Sequence, residues 1–231
     1  MLAMHIPDGF IDGPTSLVAG LIAIAGVAWC VRKTSETLRD RDIPVVGLAA
    51  AFIFAAQMLN FPVANGTSGH LLGGVLAAVL VGPWAGALAV TVVLVVQALL
   101  FADGGLSALG LNVINMALAG AFVGYGLFLV LRKVLGGRTA SVTPAAGIAA
   151  FLVPIIASIL FTVEYAIGGN DAVSVGTVAA AMVGVHALIG IGEGVISGLA
   201  IAAVMSTRPD LVYGARGVEP RRAPALQGVA A

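Results

Sequence analysis

Trp84–Phe101 reads WAGALAVTVVLVVQALLF, eighteen residues without a Lys, Arg, Asp or Glu. As a helix this run rises about 27 Å at 1.5 Å per residue, close to the thickness of a hydrocarbon core. It decides the fold because comparable apolar runs recur along the chain: Thr15–Val31, Ile43–Asn60, Gly69–Gly82, Asn112–Leu131, Gly147–Ile167 and Val175–Met205. Of the 231 residues only 10% are charged and 60% are hydrophobic, with a mean hydropathy of +1.08. A soluble domain carries about 25% charged residues. The chain is therefore expected to be an all-α integral membrane protein, a bundle of about seven transmembrane helices with no soluble domain. The third run is short and ends at Pro83. The last, with Gly184, Gly190, Gly192, Gly194 and Gly198, is long enough to predict a tilt, kink or break.

The basic residues set the expected topology. Arg32, Lys33, Arg39 and Arg41 follow the first run, Arg132, Lys133 and Arg138 the fifth, and Arg208, Arg216, Arg221 and Arg222 the seventh. Cytoplasmic loops attract Lys and Arg. Seven spans with the N-terminus outside and the C-terminus in the cytoplasm put all eleven inside. Residues 1–14 then form an outer arm, 15–205 the transmembrane domain and 206–231 a poorly ordered cytoplasmic tail. The arm has Asp8 and Asp12 but no Lys or Arg, so it lacks the positive start of a secretory signal and is expected to stay in the mature protein. Zero net charge and the absence of a basic block exclude nucleic acid as a partner. The single Cys30 reads as a small buried apolar residue.

Three stripes of small residues recur at four-residue spacing: Gly47, Ala51 and Ala55; Gly120 and Gly124; Gly190, Gly194 and Gly198. Such stripes let helices approach closely in lipid. The polar groups are few. His5 lies in the arm and His70 at the start of the third run, both on the expected outer side. Imidazole nitrogens suit Zn, Cu, Fe and Ni, so the pair is a candidate half of a nitrogen-rich metal site. Gln57, Asn60, Asn112 and Asn115 stand at the same level. His186 and Glu193 lie two turns apart on one face of the last run, where ionisable groups face a bundle interior or a cavity. They read either as a hydrogen-bonded interior pair or as part of a substrate path.

Met4-His5-Ile6-Pro7-Asp8-Gly9-Phe10 resembles the N-terminal signature of the CbiM/NikM family, the substrate-capturing membrane components of energy-coupling-factor transporters for cobalt and nickel. Gly69-His70-Leu71-Leu72-Gly73-Gly74 is similar to the family's second histidine motif, and His186-Ala187-Leu188-Ile189-Gly190-Ile191-Gly192-Glu193-Gly194 to a third. The resemblance runs from Met4 to Met205. It implies capture of Co(II) or Ni(II) as a transported substrate, with no permanently bound cofactor and no enzymatic activity, and a link to cobalamin biosynthesis. The implied ligands are the Met4 amine, the backbone nitrogen and imidazole of His5, and the imidazole of His70. Asn112, Asn115, His186 and Glu193 would support the site or the path. Implied partners are a coupling transmembrane subunit, contacted through Gly47, Ala51 and Ala55, ATPase subunits, and a small accessory membrane subunit. In this sequence Met1-Leu2-Ala3 precede Met4. A terminal amine at Met4 requires a mature chain that begins there, and that is the expectation. Two rivals follow from the residues: a proton-driven secondary metal transporter working through Glu193, and an intramembrane metal hydrolase using His186 and Glu193. The second lacks a His-Glu-x-x-His pair.

Overall fold

The computed structural model describes residues 5–59, 61–62, 68–170 and 173–217. Seven helical columns follow one another through these residues: α1 (Gly13–Thr37), α2 (Ile43–Gln57), α3 (Gly74–Val81), α4 (Pro83–Leu100), α5 (Leu109–Val134), α6 (Val142–Gly168) and α7 (Val175–Thr207). Five of them, α1, α4, α5, the column ending in α6, and α7, are long and apolar enough to cross a membrane unaided. The chain is an all-α, multi-pass membrane protein, as its composition predicts. Lipid-facing leucines and isoleucines such as Leu17, Leu21, Ile24, Leu188 and Leu199 are each more than half exposed, which a bilayer covers and water would not.

Local chemistry explains three of the helix starts. Asp12 caps α1 by accepting from Thr15 N at 2.8 Å, with Pro14 in the first turn. Ser174 caps α7 by accepting from Thr177 N. Pro83 opens α4 after Gly82 (φ +91), so α3 and α4 are separated by a turn of one residue.

Three expectations need correction. The third run is not a full span: α3 has eight residues, and His70, Leu71, Leu72 and Gly73 before it are irregular backbone preceded by a two-residue strand pair, Phe61–Pro62 with Ser68–Gly69. Gly73 (φ +78) adopts the left-handed conformation that starts the helix late. Irregular backbone survives at membrane depth only where protein surrounds it, and α3 is enclosed by α2, α4, α5, α6 and α7. Of the tilt, kink or break expected in the last run, the break is absent: α7 is one continuous helix of 33 residues. Its glycines serve packing instead. A Cβ at Gly190 would overlap the Phe151 carbonyl, and one at Gly194 would sit 2.8 Å from the Gly147 carbonyl oxygen on α6. The irregular helix is α5, which carries a π-helical segment at Val113–Ala119. Finally, the expected loose tail is packed from Pro209 to Gly217: Val212 is buried, Gly214 sits against Phe128 and Val79, Arg132 donates to Gly214 O at 2.6 Å, and Arg216 pairs with Asp42 at 2.8 Å. Positions 218–231, with Arg221 and Arg222, lie outside the described residues.

The other two stripes divide. Gly74 and Gly120 meet so closely that a Cβ at Gly74 would lie 2.6 Å from Gly120 C, and a Cβ at Gly124 would lie 2.6 Å from Val75. Gly47, Ala51 and Ala55 are exposed on the outside of α2, and Gly47 has open space beside it. The nine described Lys and Arg residues all fall at one end of the bundle, tied together across the fold by Arg216–Asp42 and Arg132–Gly214. His5 and His70 are at the other.

Candidate metal centre

The arm, from His5 to Asp12, lies across the histidine end as a strap held at four points. Asn112 on α5 grips Ile6 from both sides, accepting from Ile6 N at 2.8 Å and donating to Ile6 O at 3.3 Å. Gly105 N also donates to Ile6 O. Asp8 accepts from both the backbone N and the hydroxyl of Ser107, and the hydroxyl bond holds its carboxyl below the usual carboxylate range. Phe10 stacks on Phe161 and Tyr165, and Asp12 N donates to Gly168 O at 2.7 Å. Gly105 is glycine because a Cβ there would overlap the Asp8 backbone as the arm passes.

The strap brings His5 onto His70. The two ring centroids are 4.5 Å apart at 37°, and both residues are almost wholly buried. His5 Nδ1 meets Asp103 Oδ1 at 2.8 Å, and this bond holds the Asp103 carboxyl below the usual range. Ala102, just before Asp103, has φ +53, the one non-glycine residue with positive φ among those described. Backbone strain of this kind concentrates where a side chain must be aimed. His70 Nδ1 donates to Leu71 O at 2.8 Å, so its tautomer leaves a lone pair on Nε2. His5 Nε2 and His70 Nε2 are buried and have no hydrogen-bond partner among the described residues. Two unpartnered buried imidazole nitrogens side by side are costly unless something that needs nitrogen arrives. No group of three or more His, Cys, Asp or Glu among the described residues could hold an ion unaided. Further donors must come from backbone or terminal nitrogen, and Met4 lies outside the described residues.

His70 is positioned by two helices. Glu193, fully buried on α7, accepts from Leu72 N at 2.8 Å and Gly73 N at 2.9 Å, one carboxylate oxygen each. It thereby satisfies the first backbone donors ahead of α3. Gln57 on α2 donates to Leu72 O at 2.7 Å. His186 and Glu193 do not bond each other, as the interior-pair expectation supposed. His186 Nδ1 instead bonds Met182 O at 2.6 Å. Asn115 bonds Glu164 on α6 at 2.7 Å.

Sequence reasoning missed Asp103, Gln97 and Glu164. Gln97 is fully buried, both its side-chain polar atoms are without a partner among the described residues, and its backbone carbonyl accepts from Phe101 N and Asp103 N at 3.1 Å. Its isolation as the one amide in Trp84–Phe101 was the available signal. Asp103 carried none, because an acidic loop residue is ordinary.

A family model described as the cobalt uptake substrate-specific transmembrane region matches residues 5–211. A protein of Haloquadratum walsbyi provisionally named a metal transport protein is 39% identical over 91% of this chain and 94% of its own length. The cobalt transport protein CbiM of Thermosediminibacter oceani is 33% identical over 85% of this chain and 82% of its own. A crystal structure described as a transition metal transporter superposes with a TM-score of 0.80 at 28% identity, covering 87% of this chain and 92% of that one. The arm, the histidine pair and the enclosed half-helix thus belong to a membrane metal-transport component rather than an enzyme, and this chain is a member of the CbiM family.

Proposed function

We propose that the chain captures Co(II) or Ni(II) at the outer face of a prokaryotic cell membrane. It passes the ion inward as the substrate-specific component of an ATP-driven energy-coupling-factor transporter, in a role that supplies cobalamin synthesis when the ion is cobalt. The carrying observation is the buried His5–His70 ring pair, with His70 Nε2 unpartnered among the described residues, at the end of the bundle where none of the described Lys and Arg residues lies. The positive-inside bias orients that end outward. The remaining nitrogens are the Met4 amine and the His5 amide, in a chain that starts at Met4. Four nitrogens favour a square-planar ion, and binding releases protons. A chelate through the His5 amide uses Nδ1, which closes a six-membered ring. That atom now meets Asp103, so capture exchanges the Asp103 contact for the ion.

Glu193 has both carboxylate oxygens engaged by backbone N–H groups, which is a holding role and weakens the case for a proton-driven carrier. With no phosphate-binding Gly-x-x-x-x-Gly-Lys-Ser/Thr loop in the sequence, nucleotide hydrolysis falls to partner ATPases. The exposed Gly47, Ala51 and Ala55 face suits close helix contact with a coupling membrane subunit. Several relatives are longer proteins: the fused nickel transport protein NikMN of Rhodobacter capsulatus is matched over 47% of its length. That is in keeping with an accessory membrane subunit as a further partner here.

Titration of the purified protein, with its N-terminus defined by intact mass, tests the reading. One Ni(II) or Co(II) should bind per chain, and His5→Ala or His70→Ala should each weaken binding about 100-fold or more while the protein still inserts. Wild-type affinity in His70→Ala refutes the site. A metal-bound protein retaining Met1-Leu2-Ala3 refutes the amine ligand. Ala51→Leu should block assembly with the coupling subunit and spare metal binding.

A further inference from the structure

Glu164 is the only charged residue of α6. That helix has 27 residues, about 40 Å at 1.5 Å per residue, so it overhangs a hydrocarbon core of about 30 Å by about 5 Å at each end. Glu164 lies four residues, about 6 Å, short of the helix end at Gly168, which puts it at the boundary between hydrocarbon and head groups. Asn115 donates to Glu164 Oε2 at 2.7 Å, and no described residue donates to Oε1. The described Lys and Arg residues all fall at the opposite end of the bundle, so none of them pairs with this carboxyl. An ionisable group at such depth is costly unless a partner meets it.

The Glu164 side chain opens onto a groove of about 470 Å³ between α1, α5 and α6. Leu111 and Ile114 of α5 form its floor, Val18 and Ile22 of α1 one wall, and Ile167 and Glu164 of α6 the other. Val18, Ile22 and Ile167 are each more than half exposed, so the groove is open on its lipid side. At the strap the two walls touch: Asp12 N donates to Gly168 O at 2.7 Å, and a Cβ at Gly168 would overlap the Thr15 hydroxyl. The groove begins beneath that contact, at Thr15, and runs to Ile22, seven residues or about 10 Å along α1.

We propose that this groove holds one phospholipid with a primary-amine head group, drawn from the leaflet on the strap side. The lipid ammonium donates to Glu164 Oε1, and an acyl chain lies along Val18, Ile22, Leu111 and Ile114. Charge selects the head group. A lone carboxylate facing lipid complements an ammonium, and a primary ammonium brings three N–H donors where a trimethylated one brings none. Size selects a chain over a partner helix. A 10 Å length of helix, 10–12 Å across, fills about 800 Å³ or more, so a helix covers the groove without entering it. The groove's volume is instead that of a small-molecule site, about 300–1,000 Å³.

The test uses the full chain in detergent, freed of bound lipid and read by native mass spectrometry. The probes are phosphatidylethanolamine and phosphatidylcholine with the same acyl chains. Wild type should retain one phosphatidylethanolamine, with a preference over phosphatidylcholine of about ten-fold or more, the size of one charge-assisted hydrogen bond. Glu164→Gln keeps an acceptor for Asn115 and should cut that preference about five-fold or more. Val18→Trp fills the groove from its open side and should lose the retained lipid. Unfolding temperatures near wild type show that both variants fold, and the wild-type comparison decides even where a variant does not. Equal retention of the two lipids by wild type, an undiminished preference in Glu164→Gln, or undisturbed retention in Val18→Trp overturns the proposal. So does a lysine-bearing transmembrane peptide that binds through Glu164 while neither lipid is preferred, which makes a partner helix the occupant.

Discussion

At the histidine end, polar contacts join distant parts of the chain in buried surroundings: Ile6 with Asn112, Leu72 with Glu193 and His5 with Asp103 are 106, 121 and 98 residues apart. At the basic end most contacts are local and wet. Lys33–Glu36, Arg39–Asp42 and Arg208–Asp210 lie within three residues of one another, while Arg216–Asp42 and Arg132–Gly214 span the fold. The first kind is costly to break, since a buried N–H or carbonyl that loses its partner bears about 1–3 kcal/mol of desolvation. The second contributes about 0–1 kcal/mol per pair. The Nε2 atoms of His5, His70 and His186 are buried without a hydrogen-bond partner among the described residues.

Four substitutions test this contrast. Glu193→Ala should have the largest effect on stability. It strips two buried N–H groups of their acceptor, so about 2–6 kcal/mol is expected, read as a loss of thermal stability in detergent and of metal binding. Gly105→Ala should be severe for binding and mild for the bundle. The new methyl overlaps Asp8 and pushes out the strap, and Ni(II) affinity should fall about 100-fold while the unfolding temperature changes little. Asn112→Ala removes the two-sided grip on Ile6. A loss of about 1–3 kcal/mol in strap docking should appear as about 5- to 150-fold weaker Ni(II) binding. If it left affinity unchanged, the strap would not be the site's moving part.

Arg216→Ala should be smallest, within about 1 kcal/mol, with Ni(II) binding unaltered. Its pH dependence follows from Asp42, whose carboxyl Arg39, and then Arg216, hold below the usual carboxylate range. A carboxyl depressed in the folded state adds stability that is present above its unfolded value near 4 and is lost as pH falls through the lower folded value. Wild type and Arg216→Ala should therefore differ at neutral pH and converge on acidification below about pH 4.

The small-residue stripes show where reading a sequence stops. Gly47-Ala51-Ala55, Gly120-Gly124 and Gly190-Gly194-Gly198 share one spacing, yet two face the interior and the first faces outward. Spacing reports that a helix can be approached, and only the neighbours decide by what. The third span failed for a related reason. Hydropathy sums over Gly69–Gly82 are those of a membrane segment, but hydropathy is blind to Gln57 and Glu193, which make irregular backbone tolerable there.

The sequence by itself determined that this chain lives in a membrane, how many times it turns back, which end carries the positive charge, and that His5 and His70 share the opposite end. These follow from sums over neighbouring residues, because transfer into lipid and the attraction of Lys and Arg to one side act on each segment where it stands. Only the tertiary structure decided that Asn112 holds the strap, that Asp103 meets His5, that Glu193 seats the His70 loop, and that His186 presents a bare nitrogen. Each depends on groups from segments far apart in the chain arriving within hydrogen-bonding distance, and directional bonds of that kind leave no periodic trace in the residues that make them.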